Sequence, residues 1–212
     1  MRPYRGLALA AATVVALGLG GCITLFPKTQ PAQLYAFGNS FPAGPAPADA
    51  GGPPINVVSS RTEFERAAAS DRILTVNNRE AGYIANSRWI SSAAVLFDEA
   101  ESRAFTADAG RARLVRAGQM ASAAAALQLD VPTFEARYPG SLSAAPTVVV
   151  EVRAILVALP DRHVLGEQTF TVSKPAGTNR VGEIVQAFDA ATVEALSQVA
   201  TWTDAQVAQP KS

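Results

Sequence analysis

The clearest pattern in the chain is the alternation of apolar and polar side chains, which is typical of a strand with one buried face. Residues 127–137 alternate in this way, with an interruption at Pro132 that predicts an edge position or a bulge. Residues 147–159 form a longer β-branched run, and the turn sequence at 160–163 leads into another apolar run over 164–172. The last two runs are predicted to form an antiparallel hairpin.

Shorter strands are predicted where β-prone residues cluster between polar or proline-rich stretches. They cover residues 34–37, 55–58, 73–76, 80–84 and 113–115. The third and fourth of these are predicted to pair as a hairpin across Asn77 and Asn78. Residues 39–54 consist mainly of Pro, Gly and Ala and are interpreted as a loop. Residues 59–69 fit either a helix or a polar excursion.

Two helices are predicted from apolar side chains that recur every three or four residues. The first covers about residues 88–103, and its apolar face comprises Trp89, Ala93, Leu96, Phe97 and Ala100. The second runs from about Asn179 to about Trp202. Asn179 is the predicted N-cap of this helix, and Glu183 is well placed in its first turn, where the helix dipole favours a negative charge.

These elements predict a single-domain α+β, or mixed α/β, fold in which a mostly antiparallel sheet carries the two helices on one face. The chain contains no internal repeat and no sign of a second domain. The predicted domain covers residues 34–203, including the loop at 39–54. Residues 204–212 are predicted to be a disordered tail.

The first 22 residues have the pattern of a bacterial lipoprotein signal peptide. Arg2 and Arg5 precede a short apolar stretch over residues 6–21, which is shorter than a comfortable membrane span. The stretch ends in Leu19, Gly20, Gly21 and Cys22. This ending predicts a lipoprotein signal at residues 1–21, cleavage before Cys22 and a lipid-anchored linker at 22–33. The alternatives are an ordinary signal peptide or an uncleaved N-terminal anchor.

The amino-acid composition excludes several kinds of site and several classes of protein. The chain has one cysteine and one histidine, which excludes an intramolecular disulfide and every two-histidine metal motif. It carries 18 basic and 18 acidic side chains, which argues against a nucleic-acid binder. Its 49% apolar and 17% charged content excludes a wholly disordered chain. Loss of Arg2 and Arg5 with the signal would leave a formal charge of −2.

Cys22 is the predicted lipidation site, modified by a diacylglyceryl thioether and an N-acyl chain such as palmitate. Several acyl chains anchor a protein stably in a membrane, unlike a single myristoyl group. Ile23 stands where an aspartate would favour retention in the inner membrane, so an outer-membrane anchor is expected. Apart from this covalent lipid, no cofactor is expected.

The sequence offers no convincing catalytic group. His163 is interpreted as a surface turn residue, because no Gly-x-Ser-x-Gly nucleophile motif accompanies it. The acidic residues at 98–101 are interpreted as a solvated helix face, and the arginines at 111–116 as a solvated strand or a contact for lipid headgroups or a partner. Trp89 and Trp202 fit core packing, with a groove or partner interface as the sharper hypothesis.

The order of these segments resembles a known family. After Leu19–Cys22 come a Tyr-x-Phe strand, a strand and an aromatic-capped helix, two long strands, an apolar hairpin partner and a closing helix. The residues are Tyr35 and Phe37, 71–76, Tyr83, 87–89, 127–131, 134–136, 154–157, Val164, Leu165, Phe170, 185–191 and 200–202. The pattern is similar to the ABC-type transport auxiliary lipoproteins of Mla-like and paraquat-inducible MCE systems, over residues 22–203. It departs from them at residues 90–92, which are Ile, Ser and Ser where members of the family often have prolines. The loop at 39–54 is also longer and richer in proline than expected for the family.

The resemblance implies a non-enzymatic lipoprotein on the periplasmic side of the cell envelope, anchored in the outer membrane. Its expected partners are an inner-membrane ABC permease, a cytoplasmic ATPase and a lipid-carrying MCE-domain protein, in a system that moves phospholipid or other hydrophobic cargo between membranes. Because MCE proteins form rings, a homo-oligomer is compatible with this role. The alternative function is a scaffold in outer-membrane assembly or envelope integrity. A secreted hydrolase is disfavoured.

Overall fold

The computed structural model describes residues 31–42, 52–116 and 122–208. The chain separates into two units, Met1–Pro31 and Ala32–Ser212, and every element below lies in the second. The strands are β1 (Gln33–Tyr35), β2 (Ile55–Ser59), β3 (Glu63–Phe64), β4 (Arg72–Asn77), β5 (Glu80–Trp89), β6 (Ala112–Arg116), β7 (Ala125–Tyr138), β8 (Thr147–Ala158) and β9 (Val164–Pro175). The helices are α1 (Ala93–Ala107) and α2 (Val181–Val207). Neither described helix is long and apolar enough to cross a membrane.

The sheet is organised around the long strand β7. One edge of β7 pairs with β8, which in turn pairs with β9, and both of these long ladders are antiparallel. The other edge carries three short strands in succession, β2, β3 and β4, all parallel to β7. Beyond them, β6 pairs with β2, β5 with β4, and β1 with β5. The sheet therefore divides into two branches on this side of β7.

The prediction for the break at Pro132 was half right. The register between β7 and β8 shifts between Asp130 and Thr133, which is an irregularity of the β-bulge type. The edge position is wrong, because β7 has partners on both sides. A bulge lets a residue without an N–H donor lie within a central strand, since one residue is left out of the ladder there.

The first predicted helix begins later than expected. Residues 88 and 89 belong to the end of β5, where the Trp89 N–H donates to the Asp71 carbonyl at 2.7 Å. Helix α1 starts at Ala93, and its N-cap Ser92 accepts a hydrogen bond from the Val95 N–H at 3.4 Å. The apolar spacing of four between Trp89 and Ala93 therefore joins a strand end to a helix start, and it does not mark one helical face.

Of the two alternatives predicted for residues 59–69, the structure shows the polar excursion and not the helix. Two residues, Glu63 and Phe64, form the short strand β3, and no helix is present in this segment, all of which the structure describes. A short turn follows, in which the N–H groups of Ala68 and Ala69 both donate to the Glu65 carbonyl.

The second predicted helix is confirmed, with corrections at both ends. The N-cap of α2 is Arg180, not Asn179. The Asn179 side chain instead donates to the Leu142 carbonyl at 2.6 Å and accepts from the Tyr138 hydroxyl at 2.9 Å, so it joins the turn after β7. The helix continues to Val207, so the prediction of disorder from residue 204 is wrong for its first four residues.

Both helices pack on the same face of the sheet. The ring of Phe134, on β7, lies 6.4 Å from the ring of Phe97 on α1 and 4.8 Å from the ring of Phe188 on α2. One side chain can contact both helices only if they cover the same side of its strand. The opposite face carries polar groups such as Gln128, and Arg153 forms an ion pair with Glu167 at 2.7 Å. The α+β prediction, with a mostly antiparallel sheet and two helices on one face, is confirmed.

Candidate functional site

The predicted anchor lies outside the described residues. Cys22 and the signal residues Leu19, Gly20 and Gly21 all precede residue 31, where the description begins. The lipidation of Cys22 therefore stays a prediction. The described domain begins close behind it, with β1 starting at Gln33.

Trp89 belongs to the core. Its side chain is 2% exposed and lies edge-on to the rings of Phe37 at 4.9 Å and Phe188 at 5.3 Å. The core-packing interpretation is confirmed for this residue. The interface hypothesis is wrong for Trp89, because a ring enclosed on all sides presents no surface to a partner.

Trp202 occupies a different environment. It lies on α2, is only half-buried, and makes an edge contact with the ring of Phe170 on β9 at 6.0 Å. Gly166 on β9 leaves room for the indole, since a Cβ at this glycine would come within 3.1 Å of the Trp202 ring. The ring therefore lies directly over the backbone of the edge strand.

Around Trp202 the surface forms a groove between β9 and α2, which we call the Trp202 groove. Its volume is about 550 Å³. The lining residues are Gln168, Phe170, Ser197, Gln198, Thr201, Trp202 and Ala205. The groove combines two aromatic rings with hydroxyl and amide groups, which is the mixture found where large aromatics concentrate binding energy at protein interfaces. The groove leaves Trp202 accessible, and its role at a partner interface stays a prediction.

A second pocket was missed by sequence reasoning. It has a volume of about 220 Å³ and lies between α1 and the strands β2 and β6. We call it the Glu101 pocket, and its lining residues are Ser59, Ser60, Arg61, Asp98, Glu101, Ser102, Leu114 and Arg116. Glu101 is 3% exposed, so the interpretation of the acidic cluster as a solvated face is wrong for this residue.

Burial changes the chemistry of Glu101. Removal from water is the largest effect, and it raises the pKa of the carboxyl to about 7. The Ser59 hydroxyl lowers the pKa by donating to Glu101, at 2.9 Å to Oε1 and 3.1 Å to Oε2. The negative charge of Asp98 raises the pKa, and the positive charge of Arg116 lowers it. Glu101 therefore titrates near neutral pH.

A sequence signal for this burial existed. Phe97, Glu101 and Phe105 are spaced by four residues, so they lie in one row along α1. Both phenylalanines are buried, which places the carboxyl between them against the sheet. Three acidic residues close together suggested solvent, but only Glu101 of the three falls in this apolar row.

The remaining candidates have structural roles. The Arg111 guanidinium donates to the Pro53 carbonyl at 3.1 Å, and that of Arg113 donates to the Gly110 carbonyl at 2.6 Å. His163 is exposed in its turn, 3.0 Å from the Asp161 carboxylate, as the sequence predicted. Among the described residues, no group of three or more His, Cys, Asp or Glu side chains could hold a metal ion.

Comparison with protein families decides the relationship. The sequence model of one protein family, the ABC-type transport auxiliary lipoprotein component, matches residues 42–200, well over half of the chain. The chain belongs to this family. The resemblance noted from the sequence is thereby confirmed. The matched region contains the whole Glu101 pocket and four of the seven residues that line the Trp202 groove, and it ends two residues before Trp202.

Solved structures support the fold of this auxiliary lipoprotein. It is similar to a crystal structure of a protein from Xanthomonas campestris, with a TM-score of 0.71 and 24% identity, over 83% of this chain and 97% of that one. A structure of an uncharacterised protein gives a TM-score of 0.60 at 13% identity, covering 82% and 99%. A hypothetical protein from Chlamydia trachomatis gives 0.52 at 12%, covering 73% and 98%. These likenesses show a shared fold. No curated protein matches the chain.

Proposed function

We propose that this auxiliary lipoprotein is a non-catalytic subunit of an ABC-driven, MCE-type system that moves phospholipid or other hydrophobic cargo between the two membranes. The observation that carries the proposal is the family match over residues 42–200, in a chain whose first 22 residues have a lipoprotein signal pattern. Membership of the family implies association with an ABC transporter, and Cys22 is the predicted site of attachment to a membrane.

In this proposal, Cys22 carries the lipid anchor and places the domain on the periplasmic side of the outer membrane. Cleavage before Cys22 leaves about ten residues before β1 begins at Gln33. An extended chain spans at most about 3.5 Å per residue, so this linker reaches roughly 35 Å. A linker of this length would keep the domain within that distance of the membrane surface, where it could meet an MCE-domain protein.

The anchor is tested by Cys22→Ala in cells that are labelled with radioactive palmitate and then fractionated. We expect the variant to lose the label and to remain as an unprocessed or soluble form, because no thiol is left to modify. Thr24→Ala is the matched control, since it alters the same segment and leaves the signal pattern intact. Normal outer-membrane fractionation of Cys22→Ala would sink the anchor proposal.

The choice of membrane is tested separately with Ile23→Asp. This change places an acidic residue directly after the lipidated cysteine, which the sorting rule associates with retention in the inner membrane. A shift of the protein to the inner-membrane fraction, with the palmitate label retained, supports an outer-membrane destination for the natural chain. An unchanged distribution in the inner membrane for both proteins contradicts it.

The partners are tested by affinity purification of the lipidated protein from membranes, followed by mass spectrometry of the proteins and lipids that accompany it. We expect an ABC permease, its ATPase and an MCE-domain protein. Recovery of outer-membrane assembly proteins without any of these three would favour the scaffold function instead.

A further inference from the structure

The proposed transport function assigns no role to the buried carboxyl of Glu101. This residue lies in the middle of α1 and projects towards the end of the sheet formed by β2 and β6. In the ladder between these strands, Ser59 and Arg116 are direct neighbours. Both line the pocket into which Glu101 projects, together with Asp98 from the preceding turn of α1.

The hydrogen bonds around Ser59 indicate which form of Glu101 fits the structure. The Ser59 hydroxyl oxygen lies 3.0 Å from the Ser60 carbonyl oxygen, 2.9 Å from Glu101 Oε1 and 3.1 Å from Glu101 Oε2. A hydroxyl has one hydrogen to donate, so it cannot satisfy three acceptors. If Glu101 is protonated, its own O–H donates to Ser59, and Ser59 donates to Ser60. An ionised Glu101 instead accepts the single Ser59 hydrogen, which favours the charged form but leaves the Ser60 carbonyl without this donor. Only the neutral form supplies a donor for both bonds.

The neighbouring charges act on the Glu101 carboxyl in opposite directions. The charged side chains that line the pocket with Glu101 are Asp98 from α1, Arg61 from the segment after β2, and Arg116 from β6. The effects of Asp98 and Arg116 on the Glu101 pKa oppose each other, and desolvation outweighs both. An ionised Glu101 would therefore keep a large part of its desolvation cost.

The same contacts join α1 to the sheet. Glu101 meets Ser59 at the end of β2, and Asp98 accepts a hydrogen bond from the Thr62 N–H at 3.4 Å, just before β3. The pocket beside them is larger than a water molecule requires, so water and protons can reach the carboxyl. A change in the charge of Glu101 acts directly on the attachment of α1 to β2.

We propose that Glu101 and Ser59 form a proton-controlled latch between α1 and the β2–β6 end of the sheet, closed when Glu101 is protonated and loosened when it ionises. This goes beyond the proposed transport role and rests on it only for the compartment, since a periplasmic domain meets the pH changes of the surroundings. The latch itself is a property of the fold and can be tested without any partner.

The direction of the pH effect follows from the tighter proton binding of the folded protein. The Glu101 pKa is about 7 in the folded protein and 4.5 in the reference state. Between these values the folded state holds more protons than the unfolded state, so the free energy of unfolding falls as the pH rises. The contribution of Glu101 is most favourable below about pH 4.5 and is lost by about pH 7.

The experiment measures hydrogen exchange along α1 in the full-length protein in detergent, at about pH 5.5 and about pH 8, with rates corrected for intrinsic exchange. We expect the opening equilibrium around residues 98–105 to rise on the order of tenfold or more at the higher pH. Equal protection at both pH values would overturn the proposal.

Glu101→Gln tests the role of the charge. The glutamine amide can donate to Ser59 as the protonated carboxyl does, so we expect protection of α1 at both pH values. Glu99→Gln is the matched control, because Glu99 is exposed on the same helix and pairs only with Arg103, at 3.1 Å, among its described contacts. It should keep the pH response of the natural protein. A Glu101→Gln variant that also keeps this response would overturn the proposal.

A direct titration keeps the proposal testable if Glu101→Gln does not fold. Carboxyl carbon-13 NMR of the natural protein, with Glu99→Gln used to help assign the signals, follows ionisation of the glutamates. A Glu101 signal that titrates near pH 7 supports the latch. Titration of every glutamate near the ordinary value of 4.5 would overturn it.

Discussion

The two tryptophans of this protein have the same side chain and opposite surroundings. Trp89 belongs to an aromatic cluster, which we define as Phe37, Phe64, Trp89, Phe97, Phe134 and Phe188. Within the part of the chain that the structure describes, Trp202 has one ring neighbour, Phe170, and otherwise lines the Trp202 groove. The cluster gathers rings from strands and from both helices, whereas the groove lies between one edge strand and one helix.

This difference in surroundings predicts different consequences of substituting the two rings. A ring in the cluster contacts several elements at once, so its loss weakens the packing of both helices on β7. A ring in the groove contacts the protein on one side only and leaves the other side available. We therefore expect substitutions in the cluster to change the free energy of unfolding most, and substitutions in the groove to change binding more than folding.

The largest expected effect is that of Trp89→Ala. Removing a large buried ring leaves a cavity between Phe37 and Phe188, and such changes typically cost about 3–5 kcal/mol. Chemical denaturation followed by circular dichroism would measure the lower free energy of unfolding, or show a protein that does not fold. A loss below about 1 kcal/mol would contradict the assignment of Trp89 to the core.

Trp202→Ala is expected to be milder for folding. The ring is half-buried, so we expect a loss of about 1–2 kcal/mol, with the domain still folded. If the groove contacts the proposed MCE-domain partner, recovery of that protein in affinity purification should fall at the same time. Normal recovery with a folded variant would remove Trp202 from the interface hypothesis.

The smallest expected effect is that of Gln198→Ala, the matched control at the rim of the groove. Gln198 lies on the exposed side of α2, and surface substitutions of this kind usually change stability by less than about 0.5 kcal/mol. We expect folding and partner recovery close to those of the natural protein. If Gln198→Ala reduced recovery as much as Trp202→Ala, the aromatic ring would not be the source of the binding energy.

Much of the fold was predictable from local patterns. The hairpin over 147–172 and the second helix follow from alternation and from helical spacing, because each pattern reports one face that is buried along a continuous segment. The family could also be recognised, since the order of short motifs is a property of the sequence alone.

The errors occurred where a local pattern allowed two structures. The apolar spacing between Trp89 and Ala93 fitted a helix, but the Trp89 N–H is bound to Asp71, which precedes β4. Pro132 suggested an edge, but a bulge lets β7 keep partners on both sides. In each case the hydrogen bond or strand pairing that decides the structure involves a segment that is distant in sequence. The pattern of neighbouring residues therefore could not predict it.

The sequence by itself determined the α+β composition and the family, because each depends on the order and spacing of residues along the chain. The anchor at Cys22 is predicted from the same kind of local pattern and stays a prediction. Only the tertiary structure decided that Trp89 is enclosed, that Trp202 lines a groove and that Glu101 is buried beside Ser59. Burial is a relation between elements brought together by folding. It sets both the packing of a ring and the pKa of a carboxyl, and neither is a property of the residue alone.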